Sequence, residues 1–203
     1  MQWLVKDCQS GDSLVFHFSG HGSQQLDTNN DEMDGFDETL CPLDYETNGI
    51  IVDDDINDIM VRSLKDGVKF HAIIDACHSG TVLDLPYLCK MNKKGYFEWE
   101  DHTPNSGVNK GTSGGLAISF SGCHDHQSSS DTSTLSGDTK TGAMTYAFIE
   151  AVEKEPGATY GTLLFRMRAA IREANSVSIS SLIKRVFRKG IVSRASIMLI
   201  GEV

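Results

Sequence analysis

Three short apolar segments separated by polar stretches give this 203-residue chain its pattern. Residues 13–19, 69–76 and 115–122 are rich in Val, Ile and Phe with glycine nearby, which is typical of buried strands. Between the first two lies a segment at 53–67 with apolar side chains at 56, 59, 60 and 64, which predicts a helix. A strand, a helix and a strand in this order predict parallel pairing through a right-handed crossover.

The remaining segments predict further helices and loops. Residues 142–154 and 160–174 each carry an apolar face and predict two further helices, and the N-terminus predicts the last turns of a helix ended by Gly11. Residues 86–114 and 123–140 are rich in Gly, Ser, Lys and Asp and predict long polar loops. The sequence therefore predicts one α/β domain, with a sheet between layers of helices.

Charge and composition exclude several partners. The formal net charge is -10, which argues against nucleic acid or an anionic membrane as the main partner. No apolar run approaches the roughly 20 residues of a membrane span, and no signal peptide is recognised at the N-terminus. Five cysteines without CxxC spacing favour neither a disulfide framework nor a zinc site. We expect a reducing compartment, the cytoplasm or the nucleus, and not secretion.

The ends of two predicted strands carry the candidate chemistry. Active sites gather at the carboxyl ends of parallel strands, and the motifs FSGHG (18–22) and DACHSG (75–80) stand there. Because residues two apart in an extended chain point the same way, Ser19 and His21 share one side, and so do Asp75 and Cys77. A cysteine beside a histidine base can act as a thiolate nucleophile.

The backbone around these residues suits an oxyanion. The glycines at 22 and 80 let N–H groups approach a developing negative charge, and the candidate donors are Gly22 and Cys77. The alternative for Cys77 is an inert buried cysteine. His17, inside the first strand, is expected to be a packed, hydrogen-bonded core residue rather than a second base.

Residues 27–58 hold twelve Asp or Glu and no Lys or Arg. The stretch 27–38 imitates an EF-hand loop without obeying it, because Glu32 occupies the place of the turn glycine. Taken alone, it predicts a solvated acidic loop.

Four segments together resemble a known family: FHFSGHGSQ, DEMDGFDETLCPLDYETNGIIVDDDI, IIDACHSGTVLDLP and FSGCHDHQSSSDT. From residue 1 to about residue 174 the chain resembles a plant-like type I metacaspase, of the caspase-like cysteine peptidases. The resemblance implies that His21 and Cys77 are the catalytic dyad. It also implies that Ser19, Asp75 and Asp125 line the pocket for a basic substrate side chain, and that calcium is bound by Asp37, Asp53, Asp54 and Asp84.

The charge and ligand chemistry of these residues agree with the roles that the resemblance implies. An Asp beside the nucleophile favours protein or peptide substrates with Arg or Lys at the cleaved position, and clustered carboxylates are hard oxygen ligands that suit Ca²⁺. Asp125 has the alternative role of capping a turn. The expected function is a calcium-dependent cysteine endopeptidase. Self-cleavage is expected in the exposed polar loop, after Lys90, Lys93, Lys94 or Lys110.

The resemblance also implies departures from the family. The expected fold is an α/β, caspase-like parallel sheet flanked by helices, without its N-terminal strands and with an atypical tail that lacks the closing strand. Within a single domain we expect a large-subunit-like part (1–88), a processing loop (89–114), a small-subunit-like part (115–175) and a divergent tail (176–203). The alternative function is a catalytically inactive fragment that binds calcium or associates with full-length relatives as a regulator or decoy.

Overall fold

The computed structural model describes residues 1–92, 94–104, 106–122, 143–176 and 198–201. Its strands are β1 (Ser13–Ser19), β2 (His21–Leu26), β3 (Phe36–Cys41), β4 (Ile51–Val52), β5 (Lys69–Asp75), β6 (Tyr87–Met91), β7 (Phe97–Asp101), β8 (Leu116–Ser121) and β9 (Met198–Gly201). Its helices are α1 (Gln2–Val5), α2 (Tyr45–Asn48), α3 (Asp53–Ile56), α4 (Ala143–Lys154) and α5 (Tyr160–Ser176), and a π-helical turn follows α3 at Asn57–Val61.

The main sheet has the strand order β1-β5-β8-β9-β6-β7. Its first three strands are parallel, as the apolar segments predict, and β1 and β5 end together because Ser19 pairs with Asp75. Side chains alternate between the two faces of β5. Ala72 and Ile74 pack in the core that contains Ile56, whereas Ile73 packs in the core that contains residues of α4 and α5. Helices therefore cover both faces, which confirms the predicted α/β class with a parallel sheet.

The predicted helix at 53–67 is shorter than expected. After α3 it continues only as the π-helical turn and ends at Val61. Beyond it the N–H group of Leu64 donates to the carbonyl oxygen of Val61 in a tighter turn, and the carbonyl oxygen of Leu64 accepts hydrogen bonds from the N–H groups of Ser113 and Gly115 instead of from a helical residue. Gly67, with φ of +78°, completes the turn into β5.

The prediction of an uninterrupted polar loop at 86–114 is wrong, because β6 and β7 form an antiparallel hairpin there. The side-chain oxygen of Asn92 accepts hydrogen bonds from the N–H groups of Lys94 and Tyr96, and Gly95 has φ of +91°. These contacts close the turn. The many Lys and Glu residues of the hairpin hide its alternating pattern, since all of β7 is exposed.

A second correction concerns the tail. Residues 198–201 form β9, which pairs antiparallel with both β6 and β8 inside the main sheet. The expectation of a tail without a closing strand is therefore wrong for these four residues. The predicted loop at 123–140 lies outside the described residues.

A second, three-stranded sheet has the order β2-β3-β4, and the sequence pattern does not reveal it. Its strands are polar, because Gln24, Glu38 and Thr39 stand where a typical buried strand carries apolar residues. The acidic residues at 27–35 form the connection between β2 and β3.

The outer side of β1 faces no other strand among the described residues. Leu14, Phe16 and Phe18 pack against the core, whereas the intervening Val15 is 59% exposed and His17 is also exposed. None of the described helices is long and apolar enough to cross a membrane.

Candidate active site

The site is built where β1 and β5 end side by side. The N–H group of Gly20 donates a hydrogen bond of 3.2 Å to the carbonyl oxygen of Asp75, just beyond the last paired residues. The chain then enters β2 at once, so His21 is the first residue of β2 rather than the last of β1. The two strand ends that carry the predicted motifs are therefore direct neighbours.

Gly22 lies directly against the backbone of Cys77. A Cβ atom added to Gly22 would be 2.0 Å from the carbonyl oxygen of Cys77, a distance that real Cβ atoms do not reach. Only glycine permits this approach. The contact brings the His21–Gly22 backbone next to Cys77, which is half-buried, whereas His21 is exposed.

Hydrogen bonds hold the loop that follows Cys77. The hydroxyl of Ser79 donates to the carbonyl oxygen of Ala76 at 2.8 Å and lies 2.7 Å from the hydroxyl of Ser121 at the end of β8. The hydroxyl of Thr81 donates to Glu38 of β3 at 2.6 Å. The loop is therefore fixed both to the main sheet and to the second sheet, which pre-organises the backbone around the thiol.

Asp75 is buried and faces the start of α4. One of its carboxylate oxygens accepts hydrogen bonds from the N–H group and the hydroxyl of Thr145, at 3.0 and 2.9 Å. Burial raises the pKa of Asp75, and the hydrogen bonds from Thr145 act in the opposite direction. The Thr145 hydroxyl also lies 3.2 Å from Nε2 of His17. His17 is thus hydrogen-bonded as expected, but it is exposed and not a core residue.

The residues predicted to bind a basic side chain are only partly described. Ser19 is exposed and pairs with Asp75 across the β1–β5 ladder. Asp125 lies outside the described residues. Two of the three predicted residues therefore stand side by side at the same strand ends, next to Cys77.

Two of the four residues predicted to bind calcium, Asp37 and Asp84, lie in an acidic cluster, together with three carboxylates that the resemblance did not include. Carboxylate oxygens of Asp31, Glu32 and Asp84 lie within 4.8 Å of one another, and so do those of Asp27, Asp31 and Asp37. Asp31 belongs to both groups. It is 5% exposed, which corrects the expectation of a solvated acidic loop at this position.

Asp53 and Asp54 border these groups. Asp53 accepts hydrogen bonds from the N–H groups of Glu38 and Asp54, at 2.7 and 2.9 Å. Burial and then the charge of Asp84 raise the pKa of Asp53 to about 9. Burial and then the charges of Asp31 and Asp37 raise the pKa of Asp54 to about 6. Burial raises the pKa of Asp84 to about 8, against the opposing charge of Lys110.

These donors fit a hard divalent cation. Like charges gathered away from water are unfavourable unless a cation joins them, and carboxylates on loops suit the oxygen shell of Ca²⁺. One oxygen of Asp31, Oδ1, is buried without a hydrogen-bond partner. A buried acceptor left in this way is costly, and a cation would satisfy it.

The four predicted processing lysines lie in different environments. Lys90 is inside β6 and pairs with Glu100 at 2.6 Å, and Lys94 is exposed in the hairpin turn. Lys93 lies outside the described residues. Lys110 is 5% exposed, and its ammonium group is paired with Asp31, Glu32 and Asp84.

The sequence analysis did not identify several residues that contact the predicted site residues. Asp31 and Glu32 could have been found, because they stand in the same basic-free segment as the predicted ligands. Thr145 and Lys110 carry no local signal, since only the folded chain brings them to Asp75 and Asp84. Asn57 is also of this kind: its buried side-chain amide donates to three carbonyl oxygens, those of Leu83, Asp84 and Lys110.

The fold and the strand-end cysteine and histidine define a caspase-like α/β protein. A crystal structure of a protein from Geobacter sulfurreducens has the same fold, with a TM-score of 0.51 and 25% identity over 82% of this chain and 64% of that chain. Residues 1–86 match the family described as metacaspase, peptidase C14 domain.

Curated relatives extend this match over most of the chain. Metacaspase-2 of Arabidopsis thaliana is 63% identical over 173 residues, covering 85% of this chain and 41% of the relative. Metacaspase-1 of the same plant is 63% identical over 177 residues, covering 87% of this chain and 48% of the relative. The chain is therefore similar to metacaspases over most of its length, and these matches support the plant-like type I group. It spans less than half the length of these two relatives.

Proposed function

We propose that the chain is the catalytic part of a cysteine endopeptidase that cleaves proteins after Arg or Lys and depends on calcium. The contact between Gly22 and Cys77 carries the proposal, because it joins the histidine-bearing segment to the cysteine that follows β5. Similarity to a peptidase family supports the same chemistry.

In this mechanism Cys77 is the nucleophile and His21 is the base. His21 takes the thiol proton, and the thiolate attacks the carbonyl carbon of the scissile peptide bond. Backbone N–H groups at Gly22 and Cys77 donate to the oxyanion that forms. His21 then gives its proton to the leaving amine, and a water molecule hydrolyses the thioester, returning the thiol.

The charge at the strand ends favours a basic substrate. Asp75 is buried beside the nucleophile, and a guanidinium or ammonium group would compensate the carboxylate where water does not reach. An Asp side chain in the same place would bring like charges together. Ser19, exposed next to Asp75, offers a hydroxyl at the rim, and Asp125 completes the proposed pocket.

Calcium, when bound, would supply the positive charge that the acidic cluster lacks. Asp37, Asp53, Asp54 and Asp84 remain the proposed ligands, with Asp31 beside them. Asp84 lies on the chain that leaves Cys77, and Glu38 binds Thr81 of the same loop. Calcium binding would therefore fix the carboxylates in place, and these contacts would in turn fix the loop that carries the Cys77 thiol.

The experiment that tests this function is the hydrolysis of a fluorogenic peptide ending in Arg by the purified chain, with calcium and with chelator. We expect turnover only with calcium, and none after Cys77→Ala. No turnover by a folded chain under either condition would contradict the proposal.

The second candidate is a non-catalytic fragment that binds calcium and associates with a full-length relative. The edge of β1 that no described strand covers, with Val15 59% exposed, favours it, because uncovered edges pair readily with other strands. A chain that binds calcium and co-elutes with a full-length relative, but does not hydrolyse the peptide, would favour this candidate.

A further inference from the structure

Lys110 is a buried cation inside the acidic cluster. Its ammonium group lies 2.5 Å from Oε1 of Glu32 and 3.3 Å from Oδ2 of Asp31, and it also pairs with Oδ1 of Asp84. Among the described residues, no other Lys or Arg forms an ion pair with this cluster. The three N–H groups of the Lys110 ammonium thus face three carboxylates, and the surrounding negative charge favours a cation at this position.

One ammonium group does not neutralise its surroundings. It faces three carboxylates, and the second group of Asp27 and Asp37 begins at the same Asp31. The unpartnered Oδ1 of Asp31, on a side chain only 4% exposed, marks a ligand position that Lys110 leaves unused. A divalent cation with 6–8 oxygen ligands would bring twice the charge and use more of these oxygens.

We propose that Lys110 is a tethered counter-ion that holds the divalent-cation site in the ion-free protein, and that its ammonium group leaves Asp31, Glu32 and Asp84 when calcium binds there. This inference rests on the proposed calcium dependence. It adds Asp31 and Glu32 to the ligands and turns ion binding into an exchange of cations. The two cations compete because both need the same carboxylate oxygens.

The exchange reaches beyond the cluster, because Lys110 holds its own segment of chain (residues 106–112) in place. The carbonyl oxygen of Asn109 accepts hydrogen bonds from the guanidinium of Arg62, at 3.1 and 2.9 Å. The carbonyl oxygen of Lys110 accepts one of 2.9 Å from Asn57. Residues 106–109 are themselves exposed, so the buried ammonium anchors the segment together with these contacts from Arg62 and Asn57.

Asn57 connects the Lys110 segment to the nucleophile loop. Its side-chain amide also donates to the carbonyl oxygens of Leu83 and Asp84, at 3.0 and 3.1 Å. It stands at the first residue of the π-helical turn, a backbone form that is frequent at functional sites. Departure of the Lys110 ammonium group would therefore remove one anchor of the segment 106–112 and change the restraints on the chain that leaves Cys77.

The exchange also decides when Lys110 can be cleaved. While its side chain is buried, no protease can bind it as a substrate lysine, since a protease must enclose that side chain. After the ammonium group leaves the carboxylates, the lysine and the peptide bond that follows it become accessible. Calcium would then have two effects: it would order the proposed active site, and it would make the segment 106–112 accessible as a substrate for cleavage.

Two measurements on the Cys77→Ala chain, which cannot cleave itself, test the exchange. Calcium affinity is measured by calorimetry for that chain and for the same chain with Lys110→Met, which keeps the aliphatic stem and removes the charge. We expect Lys110→Met to bind calcium about tenfold more tightly, and calcium to raise its melting temperature more than that of the parent. Lys65→Met, at an exposed lysine, is the matched control and should match the parent.

Because Lys110→Met leaves carboxylates unpaired and could prevent folding, the second measurement needs no further variant. Acetylation of lysines, read by mass spectrometry, should modify Lys110 in calcium but not in chelator, whereas Lys65 should react equally in both. Equal calcium affinity with and without Lys110, or a Lys110 that stays unreactive in calcium, overturns the exchange and leaves the calcium site standing. No calcium binding by any folded chain overturns both.

Discussion

The backbone of Gly22 touches the backbone of Cys77 so closely that a Cβ atom would come within 2.0 Å of the Cys77 carbonyl oxygen. A glycine at the start of β2 is therefore a condition for placing the backbone of the neighbouring His21 next to Cys77. The obstacle is a main-chain atom, which cannot move away as the end of a side chain can. This contact makes Gly22 sensitive even to a small substitution.

Gly22→Ala should abolish peptide hydrolysis and lower the free energy of unfolding by about 1–3 kcal/mol, the usual cost of overpacking. Urea denaturation and peptide turnover measure the two effects. Gly161→Ala is the control, because its Cβ atom would lie 3.4 Å from the ring of Phe97 and alanine suits the helix α5. A Gly22→Ala chain with full activity would show that the approach of Gly22 to Cys77 is not needed.

The second prediction concerns the thiols. Cys77→Ala should abolish hydrolysis, and His21→Ala should lower kcat by about 10²–10⁴-fold, the range of a lost general base. A thiol-reactive peptide ending in Arg should label Cys77 alone among the described cysteines at neutral pH. Burial raises the pKa of the thiols of Cys41 and Cys89, which keeps both protonated and unreactive.

Cys41→Ser is the matched control for the thiol prediction, because Cys41 pairs with His21 across β2 and β3 but is not a proposed nucleophile. It should retain hydrolysis and labelling. Labelling of Cys41 or Cys89 with loss of activity would reassign the nucleophile.

The third prediction concerns specificity. A peptide with Arg before the scissile bond should be cleaved at least about 100-fold faster than its Asp counterpart, a difference of roughly 3 kcal/mol between like and opposite charges. Asp75→Asn should remove most of this preference while leaving the melting temperature nearly unchanged, because its side-chain oxygen can still accept the hydrogen bonds from Thr145. The kcat/KM values of the two peptides measure this preference. Equal values in the parent chain would reject a pocket for a basic side chain.

The parallel part of the fold could be predicted because its strands are continuous apolar runs. Residues 13–19 match β1, and buried strands of this kind leave a strong signal. The hairpin β6–β7 leaves no such signal in the sequence, since its outer strand β7 is fully exposed and the charged residues of the hairpin resemble those of a loop. The second sheet is hidden for a different reason: its buried Glu38 and Thr39 are polar residues that only the surrounding acidic cluster and loop explain.

The candidate site was predictable to the extent that its residues share a motif. Ser19 and Asp75 stand at paired strand ends, as the motifs imply, and Gly22 meets Cys77. Long-range partners such as Lys110 could not be predicted, because an isolated lysine in a polar stretch looks solvated whatever it binds. The same holds for Thr145, which reaches Asp75 across 70 residues.

The fourth prediction concerns self-cleavage. The first new terminus in calcium should follow Lys94, because Lys94 is exposed in a turn, whereas Lys90 is paired with Glu100 inside a strand. Mass spectrometry over time identifies the order of cuts, with Lys93 as a neighbouring candidate. Lys94→Gln should delay the first cut and Lys90→Gln should not. A cut in the Cys77→Ala chain would show that a contaminating protease is responsible.

The last prediction concerns pH and calcium, measured in the Cys77→Ala chain so that no cleavage occurs. Burial and neighbouring charges raise the pKa of Asp53 to about 9 and burial raises that of Asp84 to about 8, both well above the ordinary value of 3.8. A carboxyl with a raised pKa in the folded state binds its proton more tightly there than in the unfolded chain. Its stabilising contribution is therefore complete below pH 3.8 and is lost as the pH rises towards 8 and 9. In chelator, these groups should lower the free energy of unfolding between about pH 5 and pH 8.5.

Calcium should reverse this trend, because it binds the ionised carboxylates of the folded state only. The rise in melting temperature on adding calcium should be larger at high pH than at pH 5, and magnesium should give a smaller rise. Asp53→Asn should stabilise the ion-free chain at high pH and weaken the calcium response, whereas Asp55→Asn, at an exposed neighbour in α3, should do neither. Urea denaturation across this pH range, in chelator and in calcium, makes the comparison. A calcium response that is independent of pH, or an unaltered response after Asp53→Asn, would remove Asp53 from the site.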